Sequence, residues 1–183
     1  MPEMPLPGGE GPAPGAPRGE AGLRADLAAL AIPFASHEHE AVFTVAESRG
    51  AERDWPGAST KNLFLKDVAG AFWLVTVPAE ARVDLKALPQ AIGCRRVSFA
   101  KADDMERLLG IRPGSVTPLA MIDAAPGSVT AVLDEGLAAA DRINIHPLRN
   151  TGTLGLAGAD VLRLLRHWGH APVVAPVPTQ TGD

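Results

Sequence analysis

The chain has 183 residues, one cysteine, and a net charge of −4 from 17 basic and 21 acidic residues. One domain is expected at this length, and the acidic balance argues against broad binding to a long nucleic-acid duplex, although a protein that touches only one end of a nucleic acid needs few phosphate contacts. A lone Cys94 excludes an intrachain disulfide and a thiolate metal cluster, which fits a reducing cytoplasm. No run of about 18 apolar residues occurs, so no membrane span is expected.

Both ends of the chain are predicted to be tails. The first nineteen residues contain six prolines and five glycines without apolar periodicity, so burial could not offset their ordering entropy. They also lack the apolar core of a signal peptide. The last dozen residues are rich in proline and polar at the end, and are predicted to form a second tail. We therefore expect a disordered tail at 1–19, one domain at 20–177 and a C-terminal tail at 178–183.

The first half of the domain is predicted to contain helices, an early strand and a hairpin. Leucines at positions 23, 27 and 30 have helical spacing, and Thr44 with Glu47 forms a capping box. Alternating side chains in TKNLFLKD indicate a strand. The predicted elements are a helix over 20–31 ending before Pro33, a strand over 34–40, a short helix over 44–50, and a hairpin of strands 62–67 and 71–77.

The second half is predicted to alternate between short strands and helices. Gly110 and Gly169 are expected to end helices, and Pro89 is expected to limit a short helix capped by Asp84. The remaining predicted elements are a strand over 97–99, a helix over 103–109, a hairpin of strands 119–123 and 129–133, strands over 142–146 and 151–156, and a final helix carrying Val161, Leu164, Leu165 and Trp168 on one face. These elements favour a single α+β domain, with a mixed sheet flanked by helices.

The segment from Thr60 to Asp67 places a cation and an amide in a strand that is otherwise apolar. A half-buried ammonium at Lys61 is costly unless it faces a polar site. The alternative is a surface lysine that discourages pairing at a sheet edge; the adjacent Asn62 weakens this alternative but leaves it open.

Two later segments complete the set of candidates. GSVTP, from Gly114 to Pro118, is a turn in which glycine permits close backbone approach and proline fixes the loop. HPLRN begins with His146 at the end of a predicted strand, where an imidazole serves either a structural hydrogen bond or proton transfer.

In this order, the three segments resemble the YbaK-like prolyl-tRNA editing domains, and the chain is most similar to the ProX-type branch. The resemblance extends from about residue 24 to 174 and implies the curved mixed sheet of that family. It implies hydrolysis in trans of the ester in mischarged tRNA(Pro), alanyl-tRNA(Pro) above all, in the cytoplasm and without a cofactor or metal. The expected partners are the tRNA(Pro) acceptor end and prolyl-tRNA synthetase, with no DNA and no membrane.

The resemblance also implies roles for particular residues. Lys61 and His146 are the expected catalytic residues: the lysine either stabilises charge on the ester carbonyl or holds the terminal phosphate, and the histidine contacts the ribose, orients the ester or relays a proton. The expected substrate-binding residues are Thr60, Asn62, Arg96, Gly114, Ser115, Val116, Thr117, Pro118, Asn150 and Thr153.

Several alternatives stay open at this point. The chain could remove cysteine instead of alanine from tRNA(Pro), bind an acceptor end or a synthetase without catalysis, or hydrolyse a small unrelated ester. Arg95 and Arg96 are either phosphate ligands or a solvated pair, and neighbouring cations could activate Cys94. His37 and His39 share a strand face but lack an evident third metal ligand. His167 and His170 are expected to favour the C-terminal dipole of the last helix.

Overall fold

A computed structural model describes residues 17–41 and 55–181 of the chain. The helices in this part are α1 (Gly19–Ala29), α2 (Leu88–Ile92), α3 (Ala102–Leu109), a 3₁₀ helix (Pro118–Ile122), α4 (Glu135–Ala138) and α5 (Gly158–His167). The strands are β1 (Ala35–Glu38), β2 (Ala58–Asp67), β3 (Phe72–Pro78), β4 (Val97–Phe99), β5 (Val129–Asp134), β6 (Ile143–Ile145), β7 (Gly152–Leu156) and β8 (Val173–Ala175). None of the described helices is long and apolar enough to cross a bilayer.

The strands form a mixed sheet in the order β1-β7-β6-β2-β3-β5-β8. The pairs β2/β6, β3/β5 and β5/β8 are parallel, and the pairs β1/β7, β6/β7, β2/β3 and β2/β4 are antiparallel. β2 therefore lies near the centre of the sheet. Along one of its edges, β6 pairs with the first residues of β2 and β4 pairs with its last residues. The predicted single domain with a mixed sheet and flanking helices is confirmed.

Two apolar clusters pack against the sheet. The larger contains Phe64 and Leu74 from the central strands together with α1, the 3₁₀ helix and α5. The smaller contains Leu65 and Val75, whose side chains point to the opposite face, together with α2 and the segment around β8. Burial on both faces makes β2 and β3 rigid supports for side chains at their ends.

The two helices that were predicted to end near a glycine are present in the structure. Gly110 ends α3 with a φ of 66°, a left-handed conformation that glycine adopts without a steric penalty. Val161, Leu164 and Leu165 of α5 are buried, and Gly169 follows its end. The predicted hairpin of β2 and β3 is also present, with Lys66 opposite Phe72.

The predicted strand over 119–123 is wrong, because these residues belong to the 3₁₀ helix. Pro118 begins this helix, and the Thr117 hydroxyl accepts a hydrogen bond from the Leu119 amide at 3.3 Å. All five helical residues are buried, and a short buried apolar run has the same pattern in a strand and in a helix. β5 consequently pairs in parallel with β3 instead of forming a hairpin with its predecessor.

The boundaries of the folded part also differ from the prediction. The amides of Arg18 and Gly19 donate to the Asp123 carboxylate at 2.6 and 3.0 Å, which ties the start of α1 to the body. Residues 173–175 form β8 within the expected domain, and in the segment expected as a tail over 178–183 the Gln180 amide donates to the Arg82 carbonyl. Pro89 lies in the first turn of α2 rather than ending it. The predicted helix over 44–50 lies outside the described residues.

Candidate active site

The two expected catalytic residues lie at the same end of two neighbouring strands. Ser59 of β2 is paired with Asn144 of β6 in a parallel ladder. Lys61 lies two residues beyond Ser59 within β2, and His146 lies two residues beyond Asn144, just after the last residue of β6. Residues two apart share a face of a sheet, so continuing this register past Ile145 brings Lys61 and His146 to the same end and face, although 85 positions separate them in the chain.

The same face continues across the two outer strands. Because Ile145 is paired with Leu154, the next residue pair places Thr153 of β7 beside His146. Thr153 is in turn paired with His37 of β1, and its hydroxyl lies 2.9 Å from Nε2 of His39. The polar row on this face therefore spans four neighbouring strands, and it lies opposite the larger apolar cluster.

Lys61 is a half-buried cation in this row. Burial, followed by the charge of Arg82, lowers the pKa of the Lys61 ammonium from its ordinary value. Within residues 17–41 and 55–181, no carboxylate lies within ion-pair distance of it. A partly dehydrated cation of this kind is suited to a ligand that carries or develops negative charge.

Arg82 is a functional candidate that the sequence analysis missed. It is exposed and lies beyond β3 in the segment that turns back beside the first residues of β2, where the Ala79 amide donates to the Ser59 carbonyl at 2.9 Å. The hairpin prediction contained a signal, since a chain leaving the antiparallel partner of β2 must pass close to Lys61. Its identity as a second cation beside the site required the fold.

His146 has a fixed ring orientation. Its Nδ1 lies 3.2 Å from the carbonyl oxygen of Gly152, and a carbonyl can only accept a hydrogen bond. Nδ1 therefore carries a proton in this contact, and in the neutral form of the ring the lone pair is on Nε2. The imidazole is half-buried. This tautomer can accept a proton from water through Nε2 and return it to a leaving group.

The GSVTP loop is hydrogen-bonded to both strands that carry Lys61 and His146. The Thr117 hydroxyl, which is fully buried, donates to the His146 carbonyl at 2.7 Å. The Asn62 amide donates to the Val116 carbonyl at 2.9 Å. Gly114 has a φ of 93°, in the left-handed region that favours glycine. Two side-chain contacts thus hold the loop to the ends of β2 and β6, on the face that carries Asn62, and its expected contact with substrate stays a prediction.

The remaining loop residues and the polar residues of β2 fill positions around this frame. The Ser115 amide donates to Arg112 within the turn, and Pro118 is buried at the start of the 3₁₀ helix. The Thr60 hydroxyl donates to the Asn144 carbonyl at 2.7 Å, and Asn62 Oδ1 accepts from the Thr76 hydroxyl at 2.7 Å. Thr60 and Asn62 point to the face opposite Lys61; the contact of Thr60 joins β2 to β6, and the contacts of Asn62 join β2 to β3 and to the GSVTP loop. Their expected contacts with substrate stay a prediction.

The structure does not bring Arg96 to this site. Arg96 precedes β4, next to the pairing of Val97 with Asp67 at the far end of β2. That is six strand residues from Lys61, or about 20 Å at about 3.3 Å per residue. Its side chain is exposed. The spacing in sequence gave no indication of this distance, because β4 returns to β2 at the end remote from the site.

Three further candidates from the sequence lie in the outer strands or in the turn that connects β6 to β7. Asn150 is half-buried in the turn after His146, and Thr153 is buried in β7. His37 stacks on Trp55 with ring centroids 4.0 Å apart, and no group of three metal-ligating side chains occurs among residues 17–41 and 55–181.

The remaining titratable candidates lie away from the row. Burial and the nearby Asp67 raise the pKa of the Cys94 thiol, which argues against the alternative of an activated thiolate at this position. Nε2 of the buried His170 lies 2.7 Å from the Met121 carbonyl, so this ring holds the 3₁₀ helix to the end of α5. Nε2 of His167 lies 3.8 Å from the Asp26 carboxylate.

Comparison with known proteins defines the class to which this fold and site belong. The aminoacyl-tRNA editing domain family matches residues 39–164, which contain Lys61, the GSVTP loop and His146. The chain belongs to this family.

Several relatives align over most of the chain. The prolyl-tRNA synthetase associated domain-containing protein 1 of Danio rerio is 37% identical over 150 residues, covering 81% of this chain and 82% of its own. The Bos taurus protein of that name is 36% identical, with 84% and 92% covered. The prolyl-tRNA editing protein ProX of Acetoanaerobium sticklandii is 29% identical, with 80% and 90% covered. The crystal structure of hypothetical protein APE2540 has the same fold, with a TM-score of 0.68 at 21% identity, covering 85% of this chain and 97% of its own.

Proposed function

We propose that this protein is an aminoacyl-tRNA deacylase that acts in trans in the cytoplasm on mischarged tRNA(Pro), with alanyl-tRNA(Pro) as its main substrate. The single observation that supports the proposal is the polar row, in which the half-buried Lys61 of β2 and the oriented ring of His146 after β6 extend from the same end of two paired strands. Membership of the editing family supports the reaction class, and the names of the relatives support tRNA(Pro) as the substrate.

The chemistry asks little of the protein. An aminoacyl ester is already activated, so an oriented water suffices as the nucleophile. Attack on the ester carbon places negative charge on the carbonyl oxygen, which the Lys61 ammonium stabilises. His146 Nε2 accepts the proton of the attacking water, and the ribose hydroxyl leaves with a proton when the carbon–oxygen bond breaks. In the alternative role, Lys61 holds the terminal phosphate and the backbone of the GSVTP loop polarises the carbonyl.

The need for such a reaction follows from the limits of binding discrimination. A synthetase site that is large enough for proline also admits alanine, and a missing methylene changes binding by only about 1–3 kcal/mol. A second site that admits a methyl side chain and excludes a five-membered ring removes the error. The loop from Gly114 to Pro118 is the wall expected to set this size limit. Prolyl-tRNA synthetase is the partner that would deliver the substrate.

The experiment is deacylation of a panel of charged tRNAs by catalytic amounts of the purified full-length protein. Alanyl-tRNA(Pro) should be hydrolysed rapidly, and prolyl-tRNA(Pro) should be spared. Faster hydrolysis of cysteinyl-tRNA(Pro) would assign the chain to cysteine removal instead. Equal cleavage of the alanyl and prolyl esters would contradict editing, and binding of tRNA without any cleavage would favour a noncatalytic acceptor-end module.

A further inference from the structure

Arg149, in the segment HPLRN, connects three parts of the fold through one guanidinium. Its Nε donates to the Glu20 carboxylate of α1 at 2.9 Å, and its two terminal nitrogens donate to the Glu38 carboxylate of β1 at 2.7 and 2.6 Å. One terminal nitrogen also donates to the Thr151 hydroxyl at 3.0 Å. Two-pronged contact with Glu38 fixes the plane of the guanidinium as well as its position.

The charges of this cluster reinforce one another. Hydrogen bonds from Arg149 lower the pKa of Glu20, and they also lower the pKa of Glu38. The two carboxylates, Glu38 first, raise the pKa of Arg149 in turn. All three groups are therefore charged at neutral pH.

The guanidinium lies directly against the backbone partner of the His146 ring. A Cβ atom added to Gly152 would lie only 2.9 Å from one guanidinium nitrogen and 3.0 Å from the guanidinium carbon. The carbonyl of Gly152 is the group beside Nδ1 of His146. The Arg149 guanidinium thus packs directly against Gly152, the residue whose carbonyl orients the imidazole.

The backbone between His146 and Arg149 is held in an uncommon conformation. Leu148 has a φ of 73°, in the left-handed region that a residue with a Cβ atom rarely adopts. Such a conformation persists only where the surroundings over-determine it. Here the Thr117 hydroxyl fixes the His146 carbonyl on one side, and the contacts of Arg149 fix the other.

We propose that Arg149 is a positioning residue for His146: it holds the turn and Gly152 in place so that Nδ1–H stays donated and Nε2 remains the proton-accepting nitrogen. The proposal rests on the proposed deacylase function. Arg149 itself acts only through Gly152 and the turn, without touching the reacting ester.

The first test compares Arg149→Ala and Arg149→Lys with Arg163→Ala. Arg163 is a matched control, since it is an exposed arginine that donates to Asp160 at 2.9 Å. We expect kcat for alanyl-tRNA(Pro) to fall about 10-fold or more in Arg149→Ala, because small displacements of reacting groups are costly, while KM changes less than about threefold. Lysine should restore part of the loss, since it keeps the charge but not the two-pronged contact, and the control should be unchanged. A kcat within about twofold of the wild type in Arg149→Ala would overturn the proposal.

A second variant keeps every charge and moves only the guanidinium. Gly152→Ala should displace Arg149, because the new methyl group would overlap the flexible end of that side chain. It should lower kcat in the wild-type background but have no further effect in Arg149→Ala, since both changes break one contact. Fully additive losses would show that the residues act independently, contrary to the proposal.

A third readout does not depend on activity. The Nδ1–H proton of His146 should give a protected resonance in the NMR spectrum of the wild-type protein, and Arg149→Ala should lose this protection while Arg163→Ala retains it. An unchanged resonance in Arg149→Ala would overturn the positioning role even if deacylation is observed. Conversely, wild-type protein that cleaves no charged tRNA would refute the proposed function, while loss of the resonance in Arg149→Ala would still support the link from Arg149 to His146.

Discussion

The two ends of β2 present two lysines in contrasting environments. Lys61 is half-buried, has a lowered pKa and lies on the face that carries His146. Lys66 is exposed, and its ammonium lies 5.2 Å from the centre of the Phe72 ring, close to the carboxylate of Asp104. The contrast teaches that residue type alone does not mark a site. The relevant difference is that burial has removed part of the water around Lys61, so binding of a negative group recovers part of that cost.

The largest expected effect comes from removing one lysine or the other. Lys61→Ala should lower the rate of alanyl-tRNA(Pro) deacylation by about 10²-fold or more, the scale for one electrostatic donor. Lys66→Ala should change it less than about threefold. Both variants should fold, because neither ammonium is needed by the core. Single-turnover deacylation measures the rates, and equal losses in the two variants would erase the contrast.

Breaking the support of the site end should have a smaller effect on rate together with a loss of stability. Thr117→Val keeps the shape of the side chain but leaves the buried His146 carbonyl without its donor, at a cost of about 1–3 kcal/mol. We expect about a 10-fold lower rate from the displaced loop. Chemical denaturation and deacylation assays measure the two effects. Thr130→Val, at a half-buried threonine of β5, is the control, and an unaffected rate in Thr117→Val would show that the loop contact is not needed.

The acid side of the stability profile should report the contacts around Arg149. Glu20 and Glu38 have lowered pKa values in the folded protein, so their contribution is complete above the unfolded carboxyl value of about 4.3 and is lost as pH falls through the folded values. Glu20→Gln should therefore flatten the loss of unfolding free energy below about pH 4.3. Denaturation at several pH values measures this slope, and an unchanged slope would contradict the lowered pKa of Glu20.

The smallest expected effect is a change in the pKa of Lys61 when its positive neighbour is removed. Arg82→Gln removes a neighbouring positive charge and should raise the pKa of Lys61, while burial should still keep it below the ordinary value. The deacylation rate near neutral pH should hardly change, because Lys61 stays protonated there. NMR titration of the lysine Cε resonance measures the pKa. A fall in that pKa would show that Arg82 is not a source of repulsion.

Local sequence patterns predicted the parts of the fold that local chemistry determines. The alternation around Phe64 gave β2, Gly110 gave the end of α3, and the apolar face of α5 gave the final helix. The apolar run after Pro118 was misassigned, because a buried strand and a buried 3₁₀ helix have the same composition. The strand at 173–175 was missed since its pairing with β5 is a tertiary contact that three residues do not encode.

The candidate site could also be predicted only in part. Lys61, the GSVTP loop and His146 were predicted from their motifs. In the structure the lysine and the histidine lie at the same end of the parallel pair β2 and β6. Arg96 was predicted to bind substrate, but it directly precedes β4, which pairs with the far end of β2. Arg82 and Arg149 went unrecognised as neighbours of the site, because their contacts join residues that are distant in sequence.

The central claim is that the aminoacyl ester binds at the Lys61 end of β2. The most direct measurement is an NMR titration of the full-length protein with a non-hydrolysable amide analogue of alanyl-adenosine, following the side-chain resonances of Lys61, Lys66 and His146. We expect the side-chain resonances of Lys61 and His146 to shift with the concentration of the analogue, and the resonances of Lys66 to stay unchanged. Shifts at Lys66 and the residues around Arg96, with Lys61 and His146 unchanged, would contradict it.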